Sequence, residues 1–501
     1  LNGMWSFAIV DKQKNQLFLS RDRFGEKPLY YYFKNNIFVF ASELSAFKCL
    51  KDLKLKISFK NIRKYCAHGF FPMKLSPYED VYKLEGSNNL LLNLKEMGLK
   101  TFKYWEHTFN PNYKLNENEW SEKIYFLLNK SVKQRLVADV PVGVFLSGGL
   151  DSSIIALLSQ KNSDKKIHTF SINFSEKSFD ESQYANFISS KISSRHSSEL
   201  VNIDNISDIC KEFYEKSDEP LSDSSLLSYF KLCKFSRKNV KVALGGDAAD
   251  ELLCGYDTFK AIKYASIFKN LKILKMSPII KYFVSKIPTN YSYMNFKFKL
   301  ERFFRYSNGS ISLANPQWLS PLNTKEINEI FEDRISDEEL YSEAIDLWKK
   351  DNNSSNLEKS LDFFSKLFLQ DQILVKTDRL SMMNSLEVRS PFLDYDLVNA
   401  FSEIPTKLKL KGNISKYILK RTFEKSLGKD FVNRKKIGFS SPLSKFFIEK
   451  NKSFTLNSNF LKKKKTIIQD KLSEHCGYKK ENRIYLWNIF SLDNFLHKNG
   501  L

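Results

Sequence analysis

The sequence lacks any run of about eighteen uncharged apolar residues, the length a membrane-crossing helix needs. Its best candidate, Leu271 to Ile287, is broken by Lys272, Lys275, Lys281 and Lys286, so a chain without membrane insertion, at home in the cytoplasm, is expected. It lacks a Cys-x-x-Cys pair as well. Cys49, Cys66, Cys210, Cys233, Cys254 and Cys476 lie far apart, which argues against a zinc site or a disulfide framework and fits a reducing compartment. No basic and apolar leader precedes the strand-like opening LNGMWSFAIVDK, and residue 1 is leucine; the chain reads as a fragment. Acidic residues are in deficit, 57 against 79 Lys and Arg, for a net charge of +22. The basic residues are dispersed apart from Lys462 to Lys465, and no nucleic-acid-binding module accompanies them. Compositional drift in a chain rich in Lys, Asn, Ile and Phe accounts for the surplus, and a nucleic-acid surface is not expected.

What is present is ample material for cores: 501 residues, 42% hydrophobic and 14% aromatic, enough for two or more domains. From Gly3 to Glu43, apolar runs alternate with turn clusters (MWSFAIV, DKQKNQ, LFLS, RDRFGEKP, LYYYF, KNN, IFVFAS), the spacing of an antiparallel meander. The polar stretch NPNYKLNENE then acts as a linker, which predicts a domain over residues 1–115 and a second over 116–501. In the second, an amphipathic helix over residues 117–137 is followed by the buried strands VPVGVFL, IHTFSINF and VKVAL with helices between them, the signature of a parallel α/β sheet. Beyond Tyr256 the spacing is helical almost throughout.

The most informative stretch is VGVFLSGGLDSSIIALLSQ, an apolar strand, then Ser147, Gly148, Gly149, Leu150, Asp151, Ser152 and Ser153, then an apolar helix. Glycines let backbone N–H groups approach an anion, serines add donors, and a helix N-terminus adds unpaired N–H groups and a positive dipole end. Asp151 would repel phosphate unless it held Mg2+ against it. A serine-capped turn is the plain alternative for a lone Ser-Gly-Gly. The loop resembles that of the PP-loop ATP pyrophosphatases, which cleave ATP between the α and β phosphates, and it lacks the GK[ST] ending of a Walker loop.

VKVAL leads into Gly245, Gly246, Asp247, Ala248, Ala249, Asp250 and Glu251. A helix beginning near Asp247 would set Asp250 and Glu251 on one face with it, three carboxylates converging as metal ligands or proton acceptors. Capping explains Asp247 alone.

SGGLDSS, GGDAADELLCGY, KTDRLSMMNSLEVRSPFLD and GNISKYILKR, in this order, resemble the synthetase domain of the asparagine synthetase B family, and LNGMWSFAIVDK and LFLSRDRFGEKPLYYY are similar to its N-terminal glutaminase domain. The resemblance implies an α/β PP-loop ATP-pyrophosphatase (adenine nucleotide alpha hydrolase-like) synthetase domain preceded by a partial α+β N-terminal-nucleophile glutaminase sandwich. It implies that Asp151 and Asp250 bind Mg2+, that Leu146, Ile172, Gly245 and Gly246 line the ATP site, and that Lys416 meets pyrophosphate and the intermediate. Asp247, where the family often carries Glu, would take a proton from ammonia with help from Tyr256. Asp378, Arg379, Glu387, Arg389 and Asp394 build either an acceptor pocket or, more in keeping with alternating acids and arginines, a buried ion-pair network.

The family's N-terminal cysteine nucleophile and its glutamine-holding motifs have no counterpart from Leu1 onward. Cys49 and Cys66 read as small apolar fillers. The expectation is amidation of aspartate to asparagine through a β-aspartyl-AMP intermediate, with ATP and Mg2+ as cofactors and with glutamine, or ammonia for this chain, as nitrogen donor. A homodimer is compatible with it. Two alternatives stay open: an amidotransferase acting on a sugar carboxylate in surface-polysaccharide synthesis, and a non-catalytic basic nucleic-acid-binding or scaffold protein.

Overall fold

Alternating apolar residues in the first hundred positions make two small antiparallel sheets that pack face to face. β1 (Ser6–Asp11), β2 (Gln16–Arg21), β6 (Asn88–Asn93) and β7 (Leu99–Lys103) form one, in the order β1-β2-β6-β7. β3 (Tyr30–Lys34), β4 (Ile37–Ala41) and β5 (Val81–Lys83) form the other, in the order β4-β3-β5. Leu17, Leu19, Leu90 and Leu92 from the first meet Leu29, Tyr31 and Leu84 beside the second in a shared core. The structure, a computed structural model, describes residues 1–202, 206–270, 277–306, 310–350 and 354–501.

The expected single meander through Glu43 is therefore corrected: β2 and β3 belong to different sheets. The cause is the turn RDRFGEKP, which folds around its own polar groups. Asp22 accepts hydrogen bonds from the backbone N–H groups of Phe24 (3.2 Å), Glu26 (2.8 Å) and Lys27 (2.9 Å). The Arg21 guanidinium donates to the carbonyls of Gly25, Lys27 and Leu84. A turn tied down this way carries the chain from one layer to the next.

The first helix after the linker, Glu117–Arg135, starts at a reciprocal cap: Asn116 accepts from the N–H groups of Asn118 and Glu119, and Glu119 accepts from Asn116 N–H at 2.7 Å. β8 (Val142–Phe145), β9 (His168–Phe174) and β11 (Val242–Leu244) are the three strands expected from the sequence. β10 (Arg195–Val201) and β12 (Glu387–Arg389) extend them to an all-parallel sheet ordered β10-β9-β8-β11-β12. Both added strands lie at edges, and their polar sequences RHSSELV and EVR give little strand signal.

The two parts are joined by buried polar contacts as well as by packing. Lys83 pairs with Asp371 at 2.7 Å and Lys64 with Glu343 at 2.6 Å, and Tyr30 Oη donates to Glu219 at 2.9 Å. Ile62, Tyr65 and Cys66 share a core with Phe213 and Trp487. Cys66 fits its reading as an apolar filler, whereas Cys49 is exposed and does not. Among the described residues no helix is long and apolar enough to cross a membrane. Of the stretch Leu271 to Ile287, residues 271–276, with Lys272 and Lys275, lie outside the described residues; Ser277–Lys286 is a ten-residue helix.

Candidate functional site

β8 and β11 are parallel neighbours, so the loops that follow them emerge at the same end of the sheet, where open α/β sheets form their crevices. Both reach one cavity of about 450 Å3. The loop after β8 is braced internally: Gly149 N–H donates to Ser147 Oγ (3.2 Å), the Ser147 and Ser152 hydroxyls meet at 3.1 Å, and Ser152 Oγ donates to the Gly149 carbonyl (3.2 Å). Gly148 has φ +80°, and a Cβ there would come within 2.7 Å of Ala185 N, so only glycine makes this turn. The helix Leu150–Lys161 has no side-chain cap, which leaves its first N–H groups for a ligand. Gly246 lies against the loop, since a Cβ would sit 3.1 Å from Asp151 Cβ and Ser152 N.

Ser147, Gly149, Asp151, Ser152, Ile172, Gly245, Gly246, Asp247, Asp250, Tyr256 and Lys416 all line the cavity. Leu146, Gly148 and Ser153 stand behind its wall instead. Leu146 is fully buried and donates its N–H to the Phe170 carbonyl at 2.8 Å, and Ser153 faces inward on the helix with its hydroxyl buried.

The acidic turn differs from the sequence expectation. Ala248 takes a left-handed φ of +76° and the helix begins only at Ala249, so Asp247 lies in the turn before it and the three carboxylates fan apart. Asp247 Oδ2 accepts from Thr377 Oγ1 at 3.4 Å. Asp250 Oδ1 pairs with Lys416 at 2.5 Å and Lys436 at 2.6 Å. Glu251 Oε1 accepts from Tyr256 Oη at 2.5 Å, so Tyr256 serves Glu251 rather than Asp247. Their electrostatics diverge accordingly. Burial works to raise the Asp250 carboxyl, but the Lys416 and Lys436 ammonium groups overcome it and hold it below the usual carboxylate range. Burial pushes Asp247 up against the pull of Lys376 and Thr377. Burial and the adjacent Asp250 charge push Glu251 up to about 7.

Lys416, in the stretch whose spacing reads as helical almost throughout, precedes a helix rather than lying in one. With φ +52° it is the residue before the helix Tyr417–Leu427, its N–H donating to the Leu253 carbonyl at 3.2 Å. The left-handed backbone, unfavourable for a residue with a Cβ, turns the side chain inward, where only 4% of the residue is exposed. Its Nζ bridges Asp151 Oδ2 and Asp250 Oδ1 at 2.5 Å each. Among the described residues no group of three or more His, Cys, Asp or Glu is gathered for a metal ion. Asp151 and Asp250 nevertheless form an oxygen donor pair, and Asp151 Oδ1 is buried with no hydrogen-bond partner. That pair suits Mg2+, which takes one or two carboxylates together with phosphate and water oxygens.

In KTDRLSMMNSLEVRSPFLD, Asp378, Arg379, Glu387, Arg389 and Asp394 do not line the cavity, and they form ion pairs rather than a pocket. Asp378 pairs with Lys27 (3.0 Å), Arg379 lies between Asp218 and Glu219 (3.9 and 3.7 Å), Arg389 pairs with Glu387 (2.6 Å) and Asp394 with Arg135 (3.1 Å). Sequence reasoning missed three groups that do line it: Asp223 with Ser225, Lys376, and Arg434 with Lys436. Lys376 donates to Ser225 Oγ at 2.8 Å and pairs with Asp223 at 3.3 Å. Asp223, Ser225, Arg434 and Lys436 were signalled only by the polar clusters DEPLSDSS and NRKKIGFSS, set between apolar elements, and Lys376 by its place at the head of KTDRLSMMNSLEVRSPFLD.

Comparison with known proteins agrees with this geometry. Residues 123–497 match the family model described as asparagine synthase, and residues 1–105 match a glutamine amidotransferase domain. A putative asparagine synthetase [glutamine-hydrolyzing] 2 of Methanocaldococcus jannaschii is 33% identical over 76% of this chain and 72% of its own length. Asparagine synthetase [glutamine-hydrolyzing] 1 of Bacillus subtilis is 27% identical over 98% of this chain and 76% of its own. A putative asparagine synthetase [glutamine-hydrolyzing] of Mycobacterium bovis is 30% identical over 88% and 67%. A phosphate-loop cavity carrying paired carboxylates and a buried lysine, in a chain matched by that model over most of its length, places this protein in the asparagine synthase family of ATP-using, AMP-forming carbon–nitrogen ligases.

Proposed function

We propose that this chain amidates aspartate to asparagine, activating the side-chain carboxylate with ATP as a β-aspartyl adenylate and passing the acyl group to ammonia. The observation that carries this is the Asp151–Lys416–Asp250 bridge set directly against the Ser147–Ser153 loop. In the first step a carboxylate oxygen of aspartate bonds to the α-phosphorus, the bond to the β-phosphate oxygen breaks, and pyrophosphate leaves. In the second, the ammonia nitrogen attacks the acyl carbon, AMP leaves with the bonding pair, and a proton is lost. Loop N–H groups and the helix N-terminus hold phosphate oxygens, and Lys416 balances the negative charge that both steps build. Asp247, made more basic by burial, takes the proton, while Tyr256 orients Glu251. Asp151 and Asp250 would hold Mg2+, which when bound would supply positive charge and Lewis acidity toward the polyphosphate.

We assign residues 1–115 to the glutaminase part and 116–501 to the synthetase part. The similarity to glutamine-hydrolyzing asparagine synthetases supports glutamine as nitrogen donor, and ammonium serves to probe the synthetase site by itself. The test is pyrophosphate release from ATP and ammonium with aspartate or a panel of uronic acids. Release with aspartate is expected; release with uronates alone would replace this reading with the sugar-carboxylate one.

A further inference from the structure

The basic residues are spread along the chain, but the acids that balance them are not. Residues 257–305 hold eleven Lys and Arg against Asp257 and Glu301, a net +9 out of the +22 of the whole sequence. This stretch includes the helices Asp257–Asn270, Ser277–Lys286 and Phe296–Phe303.

The middle helix, SPIIKYFVSK, carries more apolar residues than its packing uses. Ile280 and Val284, four apart, face the protein: Val284 is buried and Ile280 packs against the main core. Ile279, Tyr282 and Phe283, three and four apart on the other side, are 55%, 60% and 66% exposed. The Tyr282 and Phe283 rings meet edge to face at 5.8 Å, and the Lys286 ammonium lies 5.2 Å from the Tyr282 ring. The helix is fastened with this face outward. Lys297, itself buried, donates to the Ile287 carbonyl and to Thr289 Oγ1, each at 2.8 Å, and so ties down its C-terminal end.

Single exposed apolar side chains are ordinary on a folded protein. Three side by side, on a helix whose inner face is apolar too, call for a cover. Charge selects that cover. Lys281 and Lys286 are exposed beside the apolar face, and a surface with so few acids repels a second copy of itself. Nucleic acid would match the charge but leave Ile279 and Phe283 in water. An anionic bilayer surface accepts both, because its acyl boundary takes aliphatic and aromatic side chains while lysine stems lie along it and place their ammonium groups among the phosphates.

We propose that the helix Ser277–Lys286, with the basic helices on either side of it in sequence, is a docking surface for anionic phospholipid membranes that holds the protein at the bilayer face without crossing it. Such docking does not depend on the chemistry in the cavity.

The probe is unilamellar vesicles of phosphatidylcholine with phosphatidylglycerol, compared with phosphatidylcholine alone, in a flotation assay on the full chain. The protein should float with the anionic vesicles and stay behind with the neutral ones. Ile279→Ser combined with Phe283→Ser should weaken binding by about 10-fold or more, and so should Lys281→Gln combined with Lys286→Gln. Phe126→Ser, at an aromatic residue 67% exposed on the helix Glu117–Arg135, is the control and should float as the unaltered chain does. All these side chains are exposed, so the melting midpoints should not change. An unaltered chain that stays off the anionic vesicles would overturn the proposal, and assembly into a dimer that Phe283→Ser splits would give the face to a second copy instead. Vesicle binding that is unaffected by the Ile279 and Phe283 changes but lost to competing duplex DNA would also overturn it, because the surface would then be recognising charge alone.

Discussion

Gly255→Ala separates the geometry of the cation bridge from its charges. Gly255 donates its N–H to the Asp250 carbonyl at 2.8 Å and has no positive φ, so the backbone accepts alanine. A Cβ there would lie 2.7 Å from Asp250 Cγ and nearer still to Asp250 Oδ1 and Lys416 Cε. Carbon atoms pack at about 3.5 Å, so the carboxylate and the ammonium stem must each retreat by about 1 Å. Both are the ends of flexible side chains, which makes the fold tolerant of the change. Catalysis is less tolerant: misplacing a catalytic group by about 1 Å costs about 100-fold in rate, or about 2.7 kcal/mol in the barrier. In the pyrophosphate-release assay with ammonium and aspartate, kcat/KM for ATP should fall by about that factor, while the melting midpoint stays within about 2 °C. A rate within threefold of the unaltered chain would mean that the Asp250–Lys416 bridge is not where the chemistry occurs.

Asp151→Asn should abolish pyrophosphate release by removing a charged oxygen donor, and a near-normal rate would take Asp151 out of the metal site. Lys409 is fully buried, its Nζ has no hydrogen-bond partner, and it lies 4.4 Å from the Phe109 ring; burial lowers it to about 8. Because the unfolded chain holds this proton up to its ordinary value near 10.5, the penalty is complete below pH 8 and fades as pH rises from there toward 10.5. Lys409→Met should therefore stabilise the protein by about 3 kcal/mol at pH 7. The gain over the unaltered chain, read from chemical denaturation at several pH values, should shrink above pH 8. A gain that persists at pH 10.5 would refute the charge explanation.

The sequence by itself determined the loops and their contents. Ser147 to Ser153 follow an apolar strand and precede an apolar helix, and local propensity and glycine geometry suffice to make that a phosphate turn. The parallel sheet was legible because, of its central strands, β8 and β11 are continuous apolar runs and β9 sets Phe170, Ile172 and Phe174 at alternate positions. β10 and β12 were not, since an edge strand needs only half the burial and leaves little hydrophobic pattern. Tertiary structure alone decided which acids meet which cations. A single left-handed residue, Ala248, separated Asp247 from Asp250 and Glu251, and another, Lys416, turned a lysine from a helix face into the cavity. Neither backbone state is favoured by its own residue type, so both are held by the packing around them. Asp151, Asp250, Lys416 and Lys436 are likewise brought together from four distant segments by packing that local sequence does not encode.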